Sequence, residues 1–357
     1  DAKLAVRNLY LEERGIGDKG LSVWAGSRMY RGDDIYLLDF WPLDNLNTVG
    51  GGVRFELEGG KSFAAWHVGL NRADDPFQYQ VRPRPAPQNQ PGTTDVEILN
   101  RPRLVSSLKL SHIVPMFGDK GGIKGVVYGE VHRLPSGERE TQPGRYEDVP
   151  GDSGMLLGGQ VGLFTGEHDT FVNLFFRHGR GLAAYGELAT PQGTSPERTV
   201  EGATETRIGI SGNFEHNPFA VVVGGYFRSF REPTPEEYNF NNVDEGIFVV
   251  RPHVFLGDHA GVAVEGSYQA QQRGILNIAT NQPVHAKLWR FGLMPYLSPA
   301  GAGVFKRPVL RLIMAFTQRN EDARSLYAHD DVFARRKVEQ FYGIGAEWWF
   351  NSSSYGE

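Results

Sequence analysis

The chain has 357 residues and a formal net charge of -5; 45 residues are Gly, 12% are aromatic, 22% are charged and none is Cys. That mix fits a glycine- and aromatic-rich β protein, and the lack of Cys excludes a disulfide framework, a thiol nucleophile and Cys-ligated zinc. No Lys/Arg block marks a nucleic-acid footprint, and no apolar run reaches the ~18 residues of a membrane-spanning helix, so nucleic-acid binding and a helical membrane fold are both excluded.

The chain opens with DAKLAVRNLY, in what reads as mid-strand, with no basic-then-apolar leader. The expectation is a mature or truncated form. A first strand is predicted over residues 4–13 and a turn over 15–20. Then comes VWAGSRMYRGDDIYLLDFWPLDNLNTVGGGV, residues 23–53. A strand-like run stops there, a long acidic and aromatic stretch follows, and a second strand-like run begins. In a membrane β-barrel a loop of this length, about residues 29–49, would narrow a pore, because carboxylates and flat rings in water-filled space meet the solute directly.

Downstream the hydrophobic period is two. Arg103, Ser107 and Lys109 oppose Leu104, Leu108 and Leu110, while Lys124, Glu130 and His132 oppose Ile123, Val127 and Val131. Further on, Glu265, Ser267, Gln269 and Gln271 oppose Val262, Val264, Tyr268 and Ala270. Near the C-terminus Arg307 and Arg311 oppose Leu310, Leu312, Met314 and Phe316. A soluble β-sandwich alternates in the same way, so the connections must discriminate. Short turns at 15–20, 58–61, 166–169 and 256–260 alternate with long polar loops near 71–100, 134–152, 179–201, 229–244 and 319–337. That is the pattern of an outer-membrane barrel, with tight periplasmic turns and long outer loops, and rings at strand ends suit an interfacial girdle. About fifteen strands are predicted, the last over 340–350. Single-chain bacterial barrels normally have even numbers, so an odd count predicts strands upstream of Asp1 or a miscount by one.

Some patterns point elsewhere and fail on context. GIGDKG at 15–20 matches a dinucleotide-binding glycine pattern, but that pattern needs a helix after it, and LSVWAGSRMY is strand-like. Asp34 and Asp39 as glycosidase carboxylates would need one raised pKa and a buried floor, for which the sequence gives no sign. The ten His residues are scattered, with no HExxH. No cofactor, metal site or enzyme activity is expected.

Residues 23–41, VWAGSRMYRGDDIYLLDFW, resemble the WAGKRFY…HD…MIDFYYW segment of maltoporins, the sugar-specific trimeric porins of Gram-negative outer membranes. The likeness continues through NLYLEERGIGDKGLSVWAG and NTVGGGVRFEL, with weaker echoes at 246–268 and 307–317. The resemblance implies an all-β transmembrane antiparallel barrel of about eighteen strands, with one domain over 1–357, an inward-folded third loop and roughly three strands preceding the point that matches Asp1. It implies a homotrimer in outer-membrane lipid that passes oligosaccharides by diffusion. Asp34 and Asp39 fall on the family's constriction acids, Trp41 on its constriction tyrosine and Phe305 on an aromatic of its sugar slide. The family's constriction arginine falls on Gly32, with Arg31 adjacent as a substitute. No mid-chain slide aromatic is found, and Trp348 and Trp349 sit early for the C-terminal slide Trp.

Other readings of these residues stand beside this one. The loop carboxylates, Asp33 included, also suit solvated turn positions. Trp41 suits a packing anchor, and Phe305 a girdle ring. Arg251, Arg307 and Arg311 suit either selectivity-tuning lumen charges or a solvated barrel interior. At the level of the whole chain the alternatives are an unspecific porin and a barrel retained as a scaffold for envelope partners.

Overall fold

The computed structural model describes residues 8–17, 20–87, 90–116, 121–165, 170–186, 191–235, 239–277 and 280–349. In chain order the strands are β1 (Leu9–Ile16), β2 (Leu21–Arg31), β3 (Asn45–Leu57), β4 (Ser62–Asn71), β5 (Tyr79–Pro85), β6 (Thr93–Asn100), β7 (Arg103–Met116), β8 (Gly121–Leu134), β9 (Gly137–Gln142) and β10 (Arg145–Val149). They continue with β11 (Asp152–Thr165), β12 (Thr170–Gly181), β13 (Thr204–His216), β14 (Phe219–Arg231), β15 (Val243–Phe255), β16 (Ala260–Leu276), β17 (Pro283–Leu297), β18 (Val309–Arg319) and β19 (Val338–Glu347). Fifteen of them form one antiparallel sheet in the order β1-β2-β3-β4-β7-β8-β11-β12-β13-β14-β15-β16-β17-β18-β19. The glycine-rich GIGDKG segment joins β1 to β2, with Ile16 opposite Leu21, as a strand-to-strand turn. Its Asp18 and Lys19, the turn at 166–169, residues 4–7 of the expected first strand and Phe350 of the last lie outside the described residues.

The period-two reading holds along β7 and β8. Leu104, Leu108, Leu110, Val127 and Val131 are exposed on one face, while Arg103, Ser107, Glu130 and His132 are buried on the other. Exposed rows of Leu, Val, Phe and Trp continue around the outer face from Leu9 to Ile344. An apolar exterior around a charged interior inverts the ordinary soluble arrangement and matches a lipid-facing sheet. No helix among the described residues is long and apolar enough to cross a membrane.

The sheet curls around an interior segment. Asp33, in the connection between β2 and β3, pairs with Lys124 of β8 at 2.7 Å, and Tyr36 donates its hydroxyl proton to Glu347 of β19 at 3.2 Å. Those strands stand nine places apart in the sheet, about 43 Å if it were flat. Three residues of chain span at most about 10 Å, and the side chains cannot bridge the remainder. The wall must therefore wrap round the loop, as a barrel does.

Two of the expected long loops are structured: residues 71–100 hold the ribbon β5–β6, and 134–152 hold β9–β10. The ribbons are clasped by Glu140, which accepts a bond from Arg84 at 2.6 Å, while its backbone N–H donates to Gln80 at 2.8 Å. The β12–β13 connection folds inward instead: Leu182, Ala184 and Tyr185 are buried and pack with Leu134, Val200, Phe230 and Val243 at the long-loop end, while the buried Ala183 joins Leu43, Leu156 and Phe175. The β18–β19 connection carries α1 (Glu321–Ser325) and α2 (Val332–Arg335).

Candidate permeation site

The interior loop is built as a small closed hairpin. Ile35 N–H donates to the Phe40 carbonyl at 2.7 Å, Leu38 N–H returns to Ile35 at 2.8 Å, and a 3-10 turn over Tyr36–Leu38 closes the tip. Asp39 follows with φ +48°, a left-handed backbone that Asp tolerates better than most residues. Both legs rest on the inner wall. Ile35 is fully buried, the Phe40 ring lies 5.0 Å from Tyr226 of β14, and Leu43 packs with Leu156 and Phe175.

The loop acids differ in their surroundings. Burial raises the Asp33 carboxyl, but the Lys124 ammonium and the Gln160 amide outweigh it and hold the group below the usual aspartate range. Asp34 has no such cation among the described residues; burial first, then the charges of Asp33 and Asp39, push it up to about 6. Asp39 is exposed to the interior space. The raised, half-buried Asp34 is a feature that no local sequence pattern signals.

Arg31 and Trp41 are brought together, with the guanidinium 3.9 Å over the indole ring and Arg31 Nε donating to Asn45 at 2.8 Å. Arg31 thus sits at the strand end with Trp41 and Asn45. Phe305 lies in the connection between β17 and β18, whose Val304 N–H is held by Glu215 of β13 at 3.0 Å. Its ring centre is 5.4 Å from Tyr36, 6.3 Å from Phe171 and 6.2 Å from Trp349. Four rings from the loop tip, β12, the β17–β18 connection and the chain end therefore cluster at the short-turn end. Trp349 joins them although it sits early for the C-terminal slide Trp of the resemblance.

Arg251 is paired with Glu265 at 2.9 Å. Arg311 and Arg307 both meet Glu347, at 2.8 and 3.1 Å, and Arg307 also donates to the Tyr36 hydroxyl. An unexpected row is stronger. Arg177, Arg207 and Arg228 are direct cross-strand neighbours on β12, β13 and β14. Like charges so placed repel, and Glu205 relieves them by accepting from Arg207 at 2.8 Å and Arg228 at 2.7 Å, with Arg177 at 3.3 Å. Arg207 lies 4.6 Å over the Phe40 ring. The signal was present as an arginine at the inward position of each of three successive strands. No group of three or more metal-ligating side chains occurs among the described residues.

A wide antiparallel sheet, apolar outside and charged within, with a hairpin threaded through its interior, defines a porin-type channel protein. The family model described as LamB porin matches residues 1–350, and the chain belongs to the LamB porin family. That membership implies an outer-membrane channel through which sugars diffuse. A search of curated proteins found no match to the chain.

Proposed function

We propose that this protein is a maltoporin-like channel through which maltodextrin-type oligosaccharides cross the outer membrane by passive diffusion. The fifteen-strand ladder is most of the wall of a single barrel domain of about eighteen strands in a homotrimer, and the hairpin between β2 and β3 is its constriction. One observation carries the reading: Tyr36, at the constriction tip, stands edge-on to Phe305 in a cluster with Phe171 and Trp349. Flat apolar sugar faces move over such rings. Asp34 and Asp39 on the loop, with the Arg177–Arg207–Arg228 row on the wall, exchange hydrogen bonds with hydroxyls on the way. Many weak contacts let a solute leave as readily as it enters. Trp41 borders the constriction beneath Arg31, and Trp41→Ala is expected to weaken sugar block.

The test is single-channel current in a planar bilayer titrated with linear maltooligosaccharides of increasing length and with sucrose. Saturable block that tightens with chain length supports the reading. Open current without block makes the protein an unspecific porin, and no current moves it to a scaffold role.

A further inference from the structure

The inner wall is recessed where the constriction hairpin rests. A Cβ placed on Gly224 of β14 would stand 2.5 Å from Ile35 Cγ2, one on Gly209 of β13 would stand 3.3 Å from Ile35 Cδ1, and one on Gly158 of β11 would stand 2.8 Å from Leu43 Cδ2. These three glycines lie on inward positions of strands at places 7, 9 and 10 in the sheet, and each has an apolar side chain of the loop directly above it. None of the three has positive φ, so the backbone does not require glycine at these positions. What requires it is the closeness of the loop.

We propose that Gly158, Gly209 and Gly224 are bore-setting positions: by removing one layer of side chain from the wall they let the hairpin lie flush against it, and so fix the width left for the solute. The argument is steric. Carbon atoms settle about 3.5–4.0 Å apart, so a methyl group on Gly224 must lift Ile35 off the wall. Ile35 is bridged to Phe40 across the hairpin, so the lift moves the whole tip with Asp34 and Asp39 toward the open side. Phe40 and its Arg207 and Tyr226 partners limit tilt but leave no room for an extra wall atom beneath Ile35.

The inference rests on the channel reading for its first readout and stands apart from it in its second. Gly224→Ala is expected to lower single-channel conductance at least about twofold, since the displaced loop narrows the constriction. Gly224→Ala combined with Ile35→Ala removes the clashing Cγ2 and is expected to return conductance to near the parent value. Unchanged conductance in Gly224→Ala, or failure of the second substitution to restore it, overturns the proposal while leaving the channel itself intact. Independently of current, the chain has no Cys, so Ile35→Cys with Gly224→Cys offers one possible disulfide. Near-complete bond formation in the folded protein on oxidation with copper–phenanthroline is expected, seen as a mass loss of two hydrogens, and its absence overturns the proposed seat whether or not the protein conducts.

Discussion

Asp34 is the residue whose environment departs most from that of an ordinary loop carboxylate. Burial opposes its ionisation, and Asp33 and Asp39 add like charge, which raises its value from 3.8 to about 6. A carboxyl raised on folding favours the folded chain below the unfolded value, and that contribution is lost as pH rises through the folded one. Ionised Asp34 therefore works against the seat of the loop above pH 6, and protonated Asp34 relieves it. The charge at the constriction changes over the same window. Between pH 7 and pH 5 the loop loses about one negative charge, so the K⁺/Cl⁻ permeability ratio is expected to fall by roughly twofold. Asp34→Asn is expected to hold the low ratio throughout. Reversal potentials measured across a salt gradient at several pH values check this, and a flat profile in the parent or a persisting step in the variant contradicts it.

At the scale of elements, the long-loop end is held by buried charge. Arg101 is almost wholly buried, and its guanidinium donates to the carbonyls of Pro135 at 2.7 Å, Phe77 at 3.1 Å and Pro150 at 2.5 Å. One side chain thus ties the β4–β5 connection to both ends of the β9–β10 segment. Glu232 does the same from the other side, accepting from Gln192 and Gly193 N–H at 3.0 and 3.1 Å and from Asn241 at 3.0 Å. Arg101→Ala leaves three carbonyls without their donor, at a cost of about 1–3 kcal/mol for each one that stays buried. Limited trypsin digestion should then cut after Arg72, Arg139 and Arg145 several-fold faster while the strands of the wall stay protected. Equal cleavage in parent and variant would show that the ribbons are held by other contacts. These loops also mark where the sequence stops being legible. Strand faces follow from period-two alternation, which is local, and Arg103 and Leu104 report their sides unaided. The ribbons inside 71–100 and 134–152 read only as polar stretches. The seat of Ile35 needs Gly209 and Gly224, more than 170 residues away, which no local pattern supplies. Asp34, Asp39, Trp41 and Phe305 are reached through resemblance; the Asp34 shift needs the burial of the folded loop, and the adjacency of the inward Arg177, Arg207 and Arg228 needs the register of their strands.

At the scale of the whole molecule, the outer face decides between a membrane wall and a soluble sheet. Leu157 lies mid-strand on β11, opposite Gly129 of β8, and is 57% exposed beside the outward Met155, Val127 and Val131. Leu297 is 56% exposed but stands at the last position of β17, at the short-turn end. If water bathed both, Leu→Arg at either would change stability by less than about 0.5 kcal/mol. If lipid covers the face, the cost depends on depth: about 2–4 kcal/mol for Leu157→Arg near the midplane and about 0–1 kcal/mol for Leu297→Arg near the interface. Reversible unfolding from lipid vesicles in urea or guanidinium separates the two cases. A large cost at Leu157 with a small one at Leu297 requires a membrane around this sheet, because a water-bathed surface would tolerate Arg at both positions. Equal, small costs at both positions would remove the membrane from the account of the fold and leave the apolar exterior in need of a protein partner.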